Sequence, residues 1–133
     1  MAYPTIIVDT NIFIEHFRKQ NKINSTLSKL ACKYKIATTS ITVYELLMGA
    51  ITPDHETDLK NILFGLFVYS FDEEAAKIAA QQRIKLIKKN KQFEIRDILI
   101  AGVVLKEKLP LATLNSKHFQ DFINIELINI EEL

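Results

Sequence analysis

Cysteine is nearly absent from this chain. Cys32 is the only one in 133 residues, so no intramolecular disulfide can form and no Cys/His cluster points to zinc. A reducing compartment fits such a chain best. An excess of charge of one sign is missing too. Lys and Arg number 17 and Asp and Glu 16, for a formal charge of +1. Binding of nucleic acid by bulk positive charge is therefore excluded, and any attraction to RNA or DNA has to come from a local patch or from metal ions. No apolar run approaches the roughly 18–20 residues that span a bilayer. The start, Met1-Ala2-Tyr3-Pro4-Thr5, lacks the basic n-region of a signal peptide. Internal repeats, low-complexity tracts and interdomain linkers are also absent. These absences leave the expectation of a soluble, cytoplasmic protein without a membrane partner, forming one domain over residues 1–133.

What is present is an ordinary globular composition, 48% hydrophobic and 25% charged. A chain of this length buries about two-thirds of its unfolded surface and needs neither metal nor disulfide for its core. The pattern alternates strands and helices. Thr5-Ile6-Ile7-Val8 reads as a strand buried on both faces. Asp9-Thr10-Asn11 follows as a turn and helix cap. Helical spacing of Ile23, Leu27 and Leu30 predicts a helix over about 22–33, and Ile36 to Thr39 reads as a second strand. Ser40 is positioned to cap the next helix. Thr52-Pro53 opens another that Gly65 ends, and Leu66 to Phe71 is a third strand. Asp72 caps a long helix to about Lys89, and Ile95 to Lys106 is the last one. Leu111 to Leu114 and Ile125 to Ile128 complete a set of five strands. Strands separated by helices imply right-handed crossovers, hence a mostly parallel sheet covered by helices.

Function in such a sheet lies beyond the carboxyl ends of the strands. Asp9 follows the first strand, and Thr113 and Asn115 close the fourth. Two further acids sit in apolar helical contexts: Glu45 in Val43-Tyr44-Glu45-Leu46-Leu47, and Asp97 in Ile95-Arg96-Asp97-Ile98-Leu99. An acid flanked by apolar residues needs a partner or a task. Each also has a plain structural reading. Asp9 can cap a helix, Glu45 can sit at a helix edge, Asp97 can cap or pair with Arg96, and Asn115 can be a turn residue. Lys85, Lys88, Lys89 and Lys91 form one basic cluster, Arg18, Lys19 and Lys22 another, and Lys117 with His118 follows the fourth strand. A basic cluster reads either as a solvated helix end or as a contact for an RNA backbone. His16, His55 and His118 show no metal-ligand spacing, and His118 is of most interest because it closely follows Asn115.

Taken together, four segments resemble one family. They are Ile7-Val8-Asp9-Thr10-Asn11, Val43-Tyr44-Glu45-Leu46-Leu47-Met48-Gly49-Ala50, Arg96-Asp97-Ile98-Leu99-Ile100-Ala101-Gly102 and Leu111-Ala112-Thr113-Leu114-Asn115-Ser116-Lys117-His118-Phe119. The set resembles the PIN domain family, and within it the VapC-type toxin ribonucleases. The resemblance implies a three-layer α/β/α sandwich around a mostly parallel sheet of about five strands. It implies a metal-dependent endoribonuclease, with Asp9 and Asp97 as the main metal ligands and Glu45 as a further acid. Asn115 is expected at the place of a fourth acid, with Asn11 and Thr113 supporting the ligands. The expected cofactor is one or two Mg²⁺ ions, or Mn²⁺. The expected partners are an RNA substrate such as tRNA or rRNA, a cognate VapB-type antitoxin and a second copy of the chain.

The chemistry supports that expectation. A hard cation screens the phosphodiester charge that repels a nucleophile, and carboxylates are its natural ligands. Three unpaired acids brought together would also raise at least one pKa. Other readings remain open. A PIN nuclease that processes RNA without an antitoxin shares the chemistry, and a PIN fold kept for binding shares the architecture. A haloacid-dehalogenase-like phosphatase would need a second acid where Asn11 stands. A receiver module would need an acceptor Asp after the third strand, where Asp72 caps a helix.

Overall fold

The first strand determines the layering. In the computed structural model, which describes residues 3–50 and 52–133, β1 (Thr5–Val8) lies inside the sheet with Ile6, Ile7 and Val8 fully buried. β1 pairs in parallel with β2 (Lys35–Thr39) on one side and with β4 (Leu111–Ala112) on the other. β3 (Phe67–Tyr69) extends the sheet beyond β2, giving the order β3-β2-β1-β4. Alternation along β1 feeds two separate cores, because successive strand side chains face opposite sides. Ile6 and Val8 join Ile12, Phe13, Leu30 and Leu59 on one side. Ile7 joins Ile98, Ala101, Val104 and Phe119 on the other. The result is the expected three-layer α/β/α arrangement. α1 (Thr10–Arg18), α2 (Thr26–Ala31) and α4 (Pro53–Phe64) supply the first core. α5 (Glu73–Lys88) and α6 (Ile95–Glu107) supply the second, and α3 (Ser40–Gly49) follows β2.

Local signals account for most of these boundaries. Thr52 accepts the His55 N–H at 3.2 Å, Pro53 occupies the first turn and Gly65 ends α4. Asp72 caps α5 by accepting the Ala75 N–H at 2.9 Å. Three expectations need correction. The helix expected over 22–33 is divided into a 3-10 turn at Lys22–Asn24 and α2. Buried Ser25 restarts the helix by accepting the Ser28 N–H at 3.1 Å, and the Glu15 carboxylate takes the Thr26 N–H at 2.7 Å. α3 is capped by Thr39 rather than Ser40, whose hydroxyl instead accepts the Phe71 N–H at 3.0 Å. The fifth strand reduces to one parallel bridge between Leu111 and Leu127. β4 is only two residues long, so a longer ladder has nothing to pair with. Among the described residues the sheet therefore has four strands, and no helix is long and apolar enough to cross a membrane.

One close approach sets where α6 sits. Gly102 faces α5 so tightly that a Cβ there would lie 2.5 Å from the Ala75 carbonyl oxygen and 2.9 Å from the Ala79 Cβ. The backbone oxygen cannot move without shifting α5. Gly102→Ala therefore loses more to overpacking, about 1–3 kcal/mol, than the roughly 1 kcal/mol that Ala gains over Gly within a helix. The expected outcome is a Tm lowered by several degrees, measured by thermal unfolding of the metal-free protein.

Candidate active site

Four segments meet at the carboxyl end of β1. Asp9 leaves the strand directly and is fully buried. Its Oδ1 accepts the Thr10 N–H at 2.7 Å, so it caps α1, and its Oδ2 accepts the Thr113 hydroxyl at 2.8 Å. Asn11 braces that hydroxyl, donating to Thr113 Oγ1 at 3.3 Å while its own Oδ1 accepts the Leu114 N–H at 3.1 Å. α3 brings Glu45, whose Oε1 accepts the Thr10 hydroxyl at 2.6 Å. The first turn of α6 brings Arg96 and the buried Asp97.

The Arg96 guanidinium lies between the three acids. Nη2 donates to Asp9 Oδ1 and to Glu45 Oε1, both at 2.8 Å. Nε donates to Glu45 Oε2 at 2.8 Å, and Nη1 to Asp97 Oδ1 at 2.5 Å. These are charge-assisted bonds, the stronger kind. The other Asp97 oxygen, Oδ2, lies 3.1 Å from His118 Nδ1. Glu94, the residue before α6, makes no capping bond with its side chain. Together Glu94, Asp97 and His118 place one potential ligand atom each within 4.8 Å of one another. Two depressions border the acids among the described residues. A groove of about 300 Å³ includes Phe17, Arg18, Glu45 and His55. A more polar depression of about 300 Å³ includes Glu94, Asp97, Lys117 and His118.

The sequence pattern of the PIN domain matches residues 6–123, which covers all four segments. The chain belongs to the PIN domain family. A relative from Methanocaldococcus jannaschii, Ribonuclease VapC3, is 35% identical over 97 residues, covering 73% of this chain and 95% of the relative. Among solved structures, VapBC2 from Rickettsia felis, bound to a DNA fragment from its promoter, superposes with a TM-score of 0.82. That match is 26% identical and covers 94% of this chain and 98% of that one. DNA-bound VapBC from Salmonella typhimurium shares the fold, with a TM-score of 0.80 at 23% identity over 96% of this chain and 98% of that one.

The PIN fold thus brings Asp9, Glu45 and Asp97 together, although they join through Arg96. Asn11 and Thr113 lie beside them and fix Asp9. Asn115 stands apart. It is exposed, and among the described residues only its backbone N–H reaches this network, at 3.1 Å from Thr113 Oγ1. His118, one turn further on, is the residue of this turn that touches Asp97. Sequence reasoning missed Arg96 and Glu94 as members of the site. The available signals were small: Glu94 is three residues before Asp97, a helical spacing, and Arg96 adjoins an acid that needs a partner.

Charge within the site is unevenly balanced. Burial pushes the Asp97 carboxyl up, against the opposing pull of Arg96 and His118. Burial also acts on Glu45, but hydrogen bonds from Arg96 and Thr10 outweigh it and hold that carboxyl below its usual range. Burial opposes the Arg96 charge, yet Glu45 and Asp9 hold the guanidinium well above its ordinary range. The donor set suits a hard divalent cation: oxygens of three carboxylates already surround a single positive group, and an imidazole lies 3.1 Å from one of those acids.

The lowered Glu45 pKa has a definite sign. Its hydrogen bonds stabilise the fold above the unfolded carboxylate value of about 4.3, and that contribution is lost as pH falls through the lower folded value. In thermal melts of EDTA-treated protein, Glu45→Gln is therefore expected to flatten the loss of stability below about pH 4.3. An acid limb as steep as that of the wild type would place the titration elsewhere.

Proposed function

We propose that this PIN protein is a VapC-type endoribonuclease that uses a divalent metal ion, and that it is the toxin of a VapBC-type pair. One observation carries the reading: acids from β1, α3 and α6 converge on a single cation at the carboxyl end of the sheet. The names borne by the M. jannaschii relative and the R. felis structure support the RNA substrate and the antitoxin partner. In this reading Asp9 and Asp97 hold the ion, His118 and Glu94 complete its ligands on the polar side, and Glu45 is the further acid. A bound Mg²⁺ or Mn²⁺ supplies neutralisation of the phosphodiester charge and a lowered pKa for water. Thr113 and Asn11 keep Asp9 fixed, and Lys117 lies where it can meet the RNA backbone. The substrate is tRNA or rRNA, the protein is cytoplasmic, and the active form is a homodimer released from its antitoxin. A second reading, a PIN fold kept for binding, is favoured by one observation: Arg96 already neutralises part of the acid cluster.

Cleavage of a total-tRNA pool by antitoxin-free protein separates these readings. Discrete products are expected with Mg²⁺, none with EDTA, and none from folded Asp9→Asn or Asp97→Asn. Wild-type cleavage rates in both variants would remove these acids from the site, and no cleavage by folded wild type would favour the binding reading. The ligand assignment has its own test by calorimetry with Mn²⁺. His118→Ala is expected to weaken binding about tenfold or more, the scale of losing one ligand or its support. Asn115→Ala is expected to leave it within about twofold, and the reverse pattern would restore Asn115 as the fourth position.

A further inference from the structure

Arg96 occupies the space between the three acids. Asp9 Oδ2 is taken by Thr113, and Oδ1 already accepts the Thr10 N–H before it meets Arg96. Both Glu45 oxygens and Asp97 Oδ1 also accept from Arg96. The carboxylate oxygens that face one another are thus covered by a single guanidinium. A magnesium ion sits about 2.0–2.1 Å from its ligand oxygens. A guanidinium and such an ion cannot occupy the same place between Asp9 and Asp97.

We infer that Arg96 is an internal counter-ion: it holds Asp9, Glu45 and Asp97 in place before a divalent ion arrives, and it must release them for that ion to bind. The inference rests on the metal-dependent reading proposed above.

Three features support an exchange rather than a permanent plug. The first is charge. Three carboxylates and one guanidinium leave the cluster at −2, so it still attracts a divalent cation while Arg96 is in place. The second is the difference in anchoring. The Asp9 and Asp97 side chains are 0% and 2% exposed, whereas that of Arg96 is 27% exposed. Asp9 is also fixed by Thr10 and Thr113, independently of Arg96. The acids are the fixed part, and the long, part-exposed side chain is the part that can leave. The third is the partner set. Among the described residues, the Arg96 side chain donates only to the three acids and to Thr10 Oγ1. Nothing outside the site holds it there by hydrogen bonds.

The sign of one measurement separates this role from simple scaffolding. If Arg96 only shaped the site, its removal would loosen the acids and weaken metal binding. If it competes with the ion, its removal strengthens metal binding while lowering the stability of the metal-free protein. Mn²⁺ is titrated into the full-length wild type, Arg96→Gln and Arg96→Lys, all freed of metal, by calorimetry with thermal melts in parallel. The expected result is Mn²⁺ binding about tenfold or more tighter in Arg96→Gln, with a lower metal-free Tm and a larger rise on adding Mn²⁺. Arg96→Lys falls between, because lysine keeps the charge without the fork that spans several carboxylates. In the wild type, the Arg96 Nε–H signal is followed by NMR as Mg²⁺ is added, a measurement that stands even if the variants fold poorly. It is expected to shift or exchange-broaden as the guanidinium is released.

Unchanged or weaker Mn²⁺ binding in folded variants, or an unmoved Nε–H signal at saturating Mg²⁺, would overturn the inference. If neither the wild type nor a folded variant binds Mn²⁺, the metal-dependent reading itself fails, and the counter-ion role fails with it.

Discussion

Two buried carboxylates need a cation, and the placement of the site follows from how that need is met. Asp9 and Asp97 are almost completely removed from water, where an unpaired charge is costly. Arg96 supplies the counter-charge and joins residues 87 and 51 positions away in sequence, Asp9 and Glu45. The end of β1, the middle of α3 and the start of α6 are thereby tied at one point. Breaking a buried pair by removing one partner costs roughly 3–5 kcal/mol. Here that figure is an upper bound, because Arg96 is part-exposed and water shares in solvating it.

The rest of the fold makes that meeting point rigid. β1 is buried on both faces, so the position of Asp9 is set by two cores at once. Asp9 then does two jobs, capping α1 with one oxygen and accepting Thr113 with the other. Its structural reading as a helix cap is therefore correct, and the same placement sets it beside Glu45 and Asp97. On the other side of the sheet, the absent Cβ of Gly102 lets α6 press against Ala75 and Ala79 of α5. That contact fixes the helix whose first turn presents Arg96 and Asp97. A site built on strand ends and helix starts is held by the packing of the elements that carry it, which is what precise placement of ligands requires.

Much of this was legible in the sequence because it is written locally. Thr52-Pro53 and Gly65 bound α4 through capping chemistry that needs no distant partner. Asp72 at the start of α5 is the same kind of signal. The apolar run Ile6-Ile7-Val8 announced a strand covered on both faces. Asp9, Glu45 and Asp97 stood out as acids among apolar neighbours. What was not legible depends on distant contacts. The division before α2 depends on Glu15 reaching across from α1 to Thr26. The fifth strand depended on the length of β4, which stops after two residues. Asn115 and His118 are three residues apart, and only the path of the turn after β4 decides which of them meets Asp97. Arg96 read as the partner of its neighbour Asp97. That it also bridges Asp9 and Glu45 becomes visible only when three segments are folded together.

The most direct test of the acid cluster as a metal centre is the anomalous difference map of a crystal of the full chain saturated with Mn²⁺. The predicted result is a peak bonded to Asp97, with Asp9 or His118 as a further ligand and the Arg96 guanidinium displaced from between the acids. A map without a peak at these residues, with Arg96 still bridging Asp9, Glu45 and Asp97, would contradict it.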